Sequence, residues 1–163
     1  MNTTTRALAL FAAVHATWSD VHPVCDHLLQ RGVDAQRKTL PGRDGRVHCA
    51  AHVATYTAGQ VVVAQVVTRA LGYRIPAGAF AAGTALNAVT HFAIDRRAGF
   101  IRALRKAGKG EYLDHATAQR RPGVVDQTGP GTALYELDQS THRLIGVFAS
   151  LLTTWLAVRS EQR

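Results

Sequence analysis

Two long stretches of this sequence, residues 48–68 and 75–94, contain no formally charged side chain. Each is about as long as a helix that crosses a lipid bilayer, and each is too long for an ordinary strand. Two further apolar segments, at about 5–30 and 132–158, have similar lengths. The sequence therefore predicts an all-α fold in which four main helices form an up-down-up-down bundle, either in solution or embedded in a membrane.

Breaker and capping residues mark the ends of these segments. Pro23 predicts a kink late in the first helix, and Pro76 suits the first turn of the third. Thr132 is a suitable N-cap for the fourth helix. The Pro-Gly and Asp-Gly pairs within residues 31–47 predict a loop there. Because the chain has 163 residues and no internal repeat, we expect a single helical domain over residues 1–163.

Each predicted helix carries two potential metal ligands four residues apart. Residues at this spacing lie on one face of a helix, so both members of a pair can reach a common point. The pairs lie late, early, late and early in successive helices, which places all of them at one end of an up-down-up-down bundle. The eight residues are His22, Asp26, His48, His52, His91, Asp95, Asp138 and His142.

Mixed histidine and carboxylate ligands suit one or two ions of zinc, manganese or iron. His22 and His48 rank behind the other six candidate ligands. Asp26, Asp95 and Asp138 are the candidate catalytic carboxylates. Gln30 and Gln139 are candidates for orienting the ligands. A buried polar network without a metal is the alternative explanation for the whole set.

Basic residues concentrate in the connectors at the same end of the predicted bundle. The chain has 19 Lys and Arg against 11 Asp and Glu, a formal net charge of +8. Most of the basic residues lie in the connectors 31–47 and 96–123, and residues 100–108 predict a short basic helix. A basic rim over a His/Asp site suits an anionic small-molecule substrate, most simply a phosphate ester. Arg96 and Arg97 are the candidate substrate-binding residues.

The same charge distribution has a second explanation. Under the positive-inside rule, a four-span membrane protein would hold both basic connectors, 31–47 and 96–123, in the cytoplasm. The mean hydropathy of -0.04 is low for such a protein. The sequence is therefore compatible with both a membrane and a cytoplasmic location.

Composition excludes several classes of protein. Hydrophobic residues make up 47% and charged residues 18%, which does not describe a disordered polyelectrolyte. Two cysteines exclude a disulfide-dense secreted scaffold and a cysteine-rich zinc module. An aromatic content of 7% argues against a base-stacking platform for single-stranded nucleic acid. The sequence has no glycine-rich phosphate loop, nucleophile elbow or dinucleotide-binding fingerprint.

Four short runs of the sequence resemble a domain-of-unknown-function family of small bacterial proteins. The runs are His22-x-x-x-Asp26-His27-Leu28-Leu29-Gln30, His48-x-x-x-His52, Thr90-His91-Phe92-Ala93-Ile94-Asp95 and Leu137-Asp138-Gln139-Ser140-x-His142. Members of that family are mostly four-helix proteins, often membrane-predicted, and occur in phages and mobile elements. The likeness is closest to actinobacterial versions and covers roughly residues 5–158. It implies a four-helix fold and groups these residues as a set, but it implies no established reaction.

Three functions are compatible with these observations. The first is a metal-dependent hydrolase of a phosphate ester, in which a metal-bound water is the nucleophile. The alternative is a non-catalytic small membrane protein of a phage or mobile element. The second alternative is a basic nucleic-acid-binding regulator, which the net charge permits although no helix-turn-helix is visible.

Overall fold

The computed structural model describes residues 2–162, and over that range the protein is all-α apart from a small two-stranded hairpin. The elements are α1 (Thr3–Pro23), α2 (Gly32–Arg37), α3 (Gly42–Ala70), α4 (Ala77–Asp95), α5 (Ala98–Lys106), α6 (Gly110–His115), β1 (Ala118–Arg121), β2 (Val124–Asp126) and α7 (Ala133–Glu161). The predicted all-α class is confirmed.

Capping residues and a proline set the limits of the first and last long helices. The side chain of Asn2 accepts a hydrogen bond from the Thr5 amide at 2.8 Å and begins α1. Thr132 does the same for α7, as predicted. At Pro23, which has no amide hydrogen, α1 gives way to a π-helical segment, Val24–Leu28. The predicted kink is therefore a change of helix type.

The prediction of a loop over residues 31–47 is wrong. That connector contains α2, and α3 begins within it at Gly42 rather than at its end. Pro41 has an extended backbone at the N-cap of α3, and Asp44 lies in the first turn, where a negative charge interacts favourably with the helix dipole. The proline and the acidic residue of the two predicted turns therefore start a helix instead.

The segment between α5 and α7 also has more order than the sequence indicates. It contains α6 and the antiparallel hairpin of β1 and β2, in which Ala118 pairs with Asp126. Gly123 has a φ of 76°, a left-handed conformation that suits the tight turn between the strands. This hairpin leads the chain to the start of α7.

The four long helices contact one another in a closed ring. Helix α1 packs against α3 and α7, and α4 packs against the same two helices. Trp18 and Phe80 pack together in the apolar core, where small alanines such as Ala149 fill the space between helices. Helices α4 and α7 approach closely at Gly83, where an added Cβ would overlap the hydroxyl of Thr153. Small residues therefore set the separation of this helix pair.

The interior of the ring also contains hydrogen-bonded polar side chains. Asn87 donates to the amide oxygen of Gln60 at 2.6 Å, and Gln60 donates to the carbonyl of Trp18 at 3.1 Å. The buried hydroxyls of Thr68 and Thr153 donate to carbonyls one turn earlier in their own helices. These bonds satisfy polar groups that would otherwise be costly to bury.

Two of the described helices, α4 and α7, have the length and apolar composition needed to cross a membrane. Only 33% of the most apolar window of each helix is buried within the protein. Most of each window therefore faces outward or lies only partly covered.

Candidate metal centre

Three elements bring four of the eight predicted ligands together. The π-helical segment supplies Asp26, α3 supplies His52, and α4 supplies His91 and Asp95. Each offers one ligand atom within 4.8 Å of the others, and none of the four residues is more than 5% exposed. We call these four residues the metal centre.

The distances within the metal centre resemble those of a tetrahedral ligand set. His52 Nε2 lies 3.1 Å from His91 Nε2, from Asp26 Oδ1 and from Asp95 Oδ2. His91 Nε2 lies 3.2 Å from Asp95 Oδ2 and 3.9 Å from Asp26 Oδ1. Four ligand atoms at about 2.0–2.1 Å from a tetrahedral zinc ion are about 3.3–3.4 Å apart. The donor types and their spacing therefore fit one ion of this kind.

A second group adjoins the first and shares one residue with it. Ligand atoms of Asp95, Asp138 and His142 also lie within 4.8 Å of one another. His142 Nδ1 lies 3.0 Å from both the carboxylate and the carbonyl of Asp138, so its N–H has an acceptor. His142 Nε2 is buried and has no hydrogen-bond partner among residues 2–162. A histidine oriented in this way has one free nitrogen for a ligand.

His22 lies beside the metal centre and is engaged at both ring nitrogens. Its Nδ1 is 2.8 Å from the hydroxyl of Tyr56, and its Nε2 is 3.3 Å from the amide oxygen of Gln139. Gln139 in turn donates to Asp26 Oδ2 at 3.1 Å, so it fixes the direction of that carboxylate. Tyr56 is absent from the predicted set, although its spacing of four residues from His52 is a usable signal.

His48 belongs to neither group. Its Nδ1 lies 2.7 Å from the buried carboxylate of Asp34, which Arg31 also contacts at 2.7 Å. The hydrogen bond from Arg31 lowers the pKa of Asp34 most, and the hydrogen bond from His48 adds a smaller effect in the same direction. Together they hold that pKa below its ordinary value. This cluster joins α2 to α3.

Lys38, a residue outside the predicted set, supplies a positive charge beside the metal centre. Its ammonium lies 2.9 Å from Asp95 Oδ2, and the residue is only 9% exposed. Lys38 is one of several basic residues in its connector, so no local pattern distinguishes it. Its position depends on α2, a helix that the sequence does not indicate.

The two candidate substrate-binding arginines lie at the edge of the metal centre. The guanidinium of Arg96 donates to the carbonyls of Lys38 and Leu40 and fixes the connector over the site. Arg97 joins α4 to α5 with a φ of 54°, in the left-handed region. Arg96 therefore has a structural role, because it holds the connector that contains Lys38 and Leu40.

The carboxylates of the metal centre are stabilised as anions. Burial alone would raise the pKa of Asp26, but its hydrogen bond with His52 and the nearby charge of Lys38 hold that pKa well below the ordinary value. Within residues 2–162, Asp26 and Asp95 face the ammonium of Lys38 and the imidazole of His52, whose pKa is raised by these two carboxylates against the lowering effect of burial. With His52 neutral, as a metal ligand must be, one negative charge is left over in a buried place. A divalent cation would compensate this charge.

The space next to the metal centre is small. A cavity bordered by His22, Tyr56 and His142 has a volume of about 10 Å³, which is close to the room needed for one water molecule. A phosphate ester does not fit there without movement of the surrounding elements.

Comparisons with known protein families, with curated proteins and with solved structures found no match to this chain. The resemblance to the domain-of-unknown-function family therefore stays a prediction.

Proposed function

We propose that the protein binds a divalent transition metal, zinc, manganese or iron, at Asp26, His52, His91 and Asp95. The observation that carries this proposal is the mutual spacing of the four ligand atoms, 3.1–3.9 Å where the pairs contact. We place the site at one end of an up-down-up-down bundle. The meeting of Asp26, which follows α1, and of residues late in α4 with residues in the first half of α3 and early in α7 supports that arrangement.

A polar network without a metal explains the same geometry less well. The Nε2 atoms of His52 and His91 face each other at 3.1 Å while both also face carboxylates. If both nitrogens carry hydrogen, the two N–H groups oppose each other. If only one does, the other nitrogen directs a lone pair at a carboxylate. A single metal cation can be coordinated by all four atoms at once.

We extend the proposal to catalysis of the hydrolysis of an anionic substrate, most simply a phosphate ester. A bound ion of this kind would supply Lewis acidity and would lower the pKa of a water ligand. Asp138 and His142 adjoin Asp95, and one of them would accept the proton of the water. Entry of substrate requires displacement of the Lys38 connector, which Arg96 holds in place.

The closed surroundings of the metal centre favour a second candidate function. A non-catalytic membrane protein of a phage or mobile element would use the ion to join α3 and α4 to the π-helical segment, and would need no substrate access. We include location in the proposal: a membrane, with the connectors 31–47 and 96–123 on the cytoplasmic side. The nucleic-acid-binding alternative rests on the net charge of +8.

Elemental analysis of protein purified without metal-affinity columns tests the metal proposal. We expect one or two equivalents of a transition metal in the wild-type protein and loss of metal in His91→Ala. His115→Ala, which changes an exposed histidine outside the metal centre, is the matched control and should keep its metal. Equal metal content in all three proteins, or no uptake on reconstitution of correctly folded wild type, would overturn the assignment.

Hydrolysis is tested separately with a chromogenic phosphomonoester. We expect metal-dependent turnover that is lost in Asp138→Asn while the metal at His52 and His91 is retained. Metal-loaded wild type without turnover on phosphomonoesters and phosphodiesters would refute catalysis and favour the structural role.

A further inference from the structure

The four long helices each contain a segment free of Asp, Glu, Lys and Arg. The segments are 7–19 in α1, 47–68 in α3, 75–94 around α4 and 144–158 in α7. They lie side by side, because the four helices contact one another in a ring. We call the outward surface of these segments the apolar belt.

The exposed residues of the apolar belt are apolar with a single exception among those described. Alanine is the commonest, and larger side chains include Leu8, Val62, Val89, Phe148 and Trp155. The exception is Thr55, whose hydroxyl donates to the carbonyl of Ala51 at 3.0 Å within its own helix. Half-buried polar side chains such as Thr57, Gln65 and Thr84 lie between these exposed positions, so water would find few hydrogen-bonding groups on the most exposed part of this surface.

The interior behind the apolar belt is more polar than its outside. Gln60, Asn87, Ser150 and Thr153 are buried and hydrogen-bonded inside the ring. A helix of a soluble bundle shows the opposite pattern, with polar residues outside and apolar residues inside. Buried amides, helix-bonded hydroxyls and close packing at small residues such as Gly83 are typical of helices that associate in lipid.

Charged and aromatic residues bound the apolar belt at the end away from the metal centre. The guanidinium of Arg159 lies 4.5 Å from the ring centre of Trp155, and that of Arg6 lies 5.3 Å from the ring centre of Tyr73. Aromatic rings and long basic side chains are suited to the headgroup region of a membrane. The opposite end meets the basic connectors.

The height of the apolar belt is compatible with a bilayer. The charge-free segments of α3 and α4 span about 30 Å at about 1.5 Å per residue, close to the hydrocarbon thickness of about 30 Å. Those of α1 and α7 are shorter, about 20 Å. Arg6 and Arg159, at their outer ends, have side chains long enough to reach the interface.

We propose that the apolar belt is a lipid-contacting surface and that the four long helices lie in a bilayer, with the metal centre near the margin beneath the basic connectors. This inference rests on the membrane location of the proposed function and identifies the surface that contacts the lipid. It does not depend on metal binding. Lipid is the occupant we favour because exposed apolar residues occur on all four helices. A second copy or a partner protein would cover one face only.

The two tryptophans of the chain provide a direct test. Trp155 is 49% exposed in the apolar belt, whereas Trp18 is 1% exposed in the core. The full-length protein is reconstituted into vesicles of phosphatidylcholine with brominated acyl chains, which quench tryptophans in contact with lipid. We expect wild type to lose emission relative to unbrominated vesicles. Trp155→Phe, which retains only Trp18, should lose much less.

Fractionation provides the second measurement. We expect the protein to stay with the membrane through a carbonate wash and to need detergent for extraction. Recovery in the soluble fraction, equal quenching of both proteins, or a detergent-free soluble oligomer that shields Trp155 would each overturn the proposal. Metal content of the same samples separates this outcome from the metal proposal, because Trp155→Phe leaves all four ligands in place.

Discussion

Replacement of Lys38 by methionine removes the ammonium that faces Asp95 and should lower the unfolding free energy of the metal-free protein. The ammonium lies 2.9 Å from Asp95 Oδ2 in a buried position. At that distance the attraction is about 6 kcal/mol for an effective dielectric constant of about 20. Desolvation offsets part of it, and loss of one partner from a buried pair typically costs about 3–5 kcal/mol. We therefore expect metal-free Lys38→Met to lose roughly 3 kcal/mol of unfolding free energy.

The metal should restore much of this loss. A divalent cation beside Asp95 replaces the missing ammonium charge, so the variant should gain more stability from metal than wild type does. For scale, an ion at about 100 times its dissociation constant stabilises a protein by about 2.7 kcal/mol. Unfolding is followed by circular dichroism with chelator and with added zinc, in the same solvent for all proteins. Lys106→Met, at an exposed lysine, is the control.

Two results would refute this reasoning. A loss below about 1 kcal/mol in the metal-free variant would mean that the Lys38–Asp95 contact resembles a surface ion pair. Equal stabilisation of variant and wild type by zinc would mean that the ion does not take over the charge of the lysine.

Four further substitutions test the packing and capping of the long helices, each by the free energy of unfolding. Gly83→Ala should cost about 1–3 kcal/mol because the added Cβ overlaps the neighbouring helix. Gly78→Ala, which has open space around it, should instead stabilise the protein by up to about 1 kcal/mol. Equal effects of the two substitutions would contradict the close approach of α4 and α7 at Gly83. Asn87→Leu removes the donor to a buried amide oxygen and should cost about 1–3 kcal/mol; a neutral effect would show that water replaces it. Thr132→Ala removes the N-cap of α7 and should cost about 1 kcal/mol, and no loss would mean that the cap is redundant.

The part of the site that follows from helical spacing could be predicted from the sequence. His91 and Asp95 share a turn of α4, and their spacing of four residues is enough to indicate a common direction. The alternation of late and early positions also indicates that Asp26 and His52 approach them. Such local patterns are reliable because a helix imposes its own geometry on its side chains.

The part that depends on connectors could not be predicted. His48 has the same spacing from His52, yet it turns to Asp34, a residue of a helix that the sequence does not indicate. Lys38 reaches Asp95 only because α2 and Arg96 fold the connector over the site. These positions are set by tertiary contacts that no periodicity encodes.

The order of the ligands along the chain has a consequence for how the protein is made. All four atoms of the metal centre come from residues 26–95, whereas Gln139 and His142, which lie beside them, belong to the last helix. During translation all four ligand residues emerge before α7, the helix that packs beside them. An ion bound as proposed would then be captured by the unfinished chain and enclosed when α7 packs. In the finished protein, exchange with an external chelator would be limited by opening of the helices rather than by the strength of coordination.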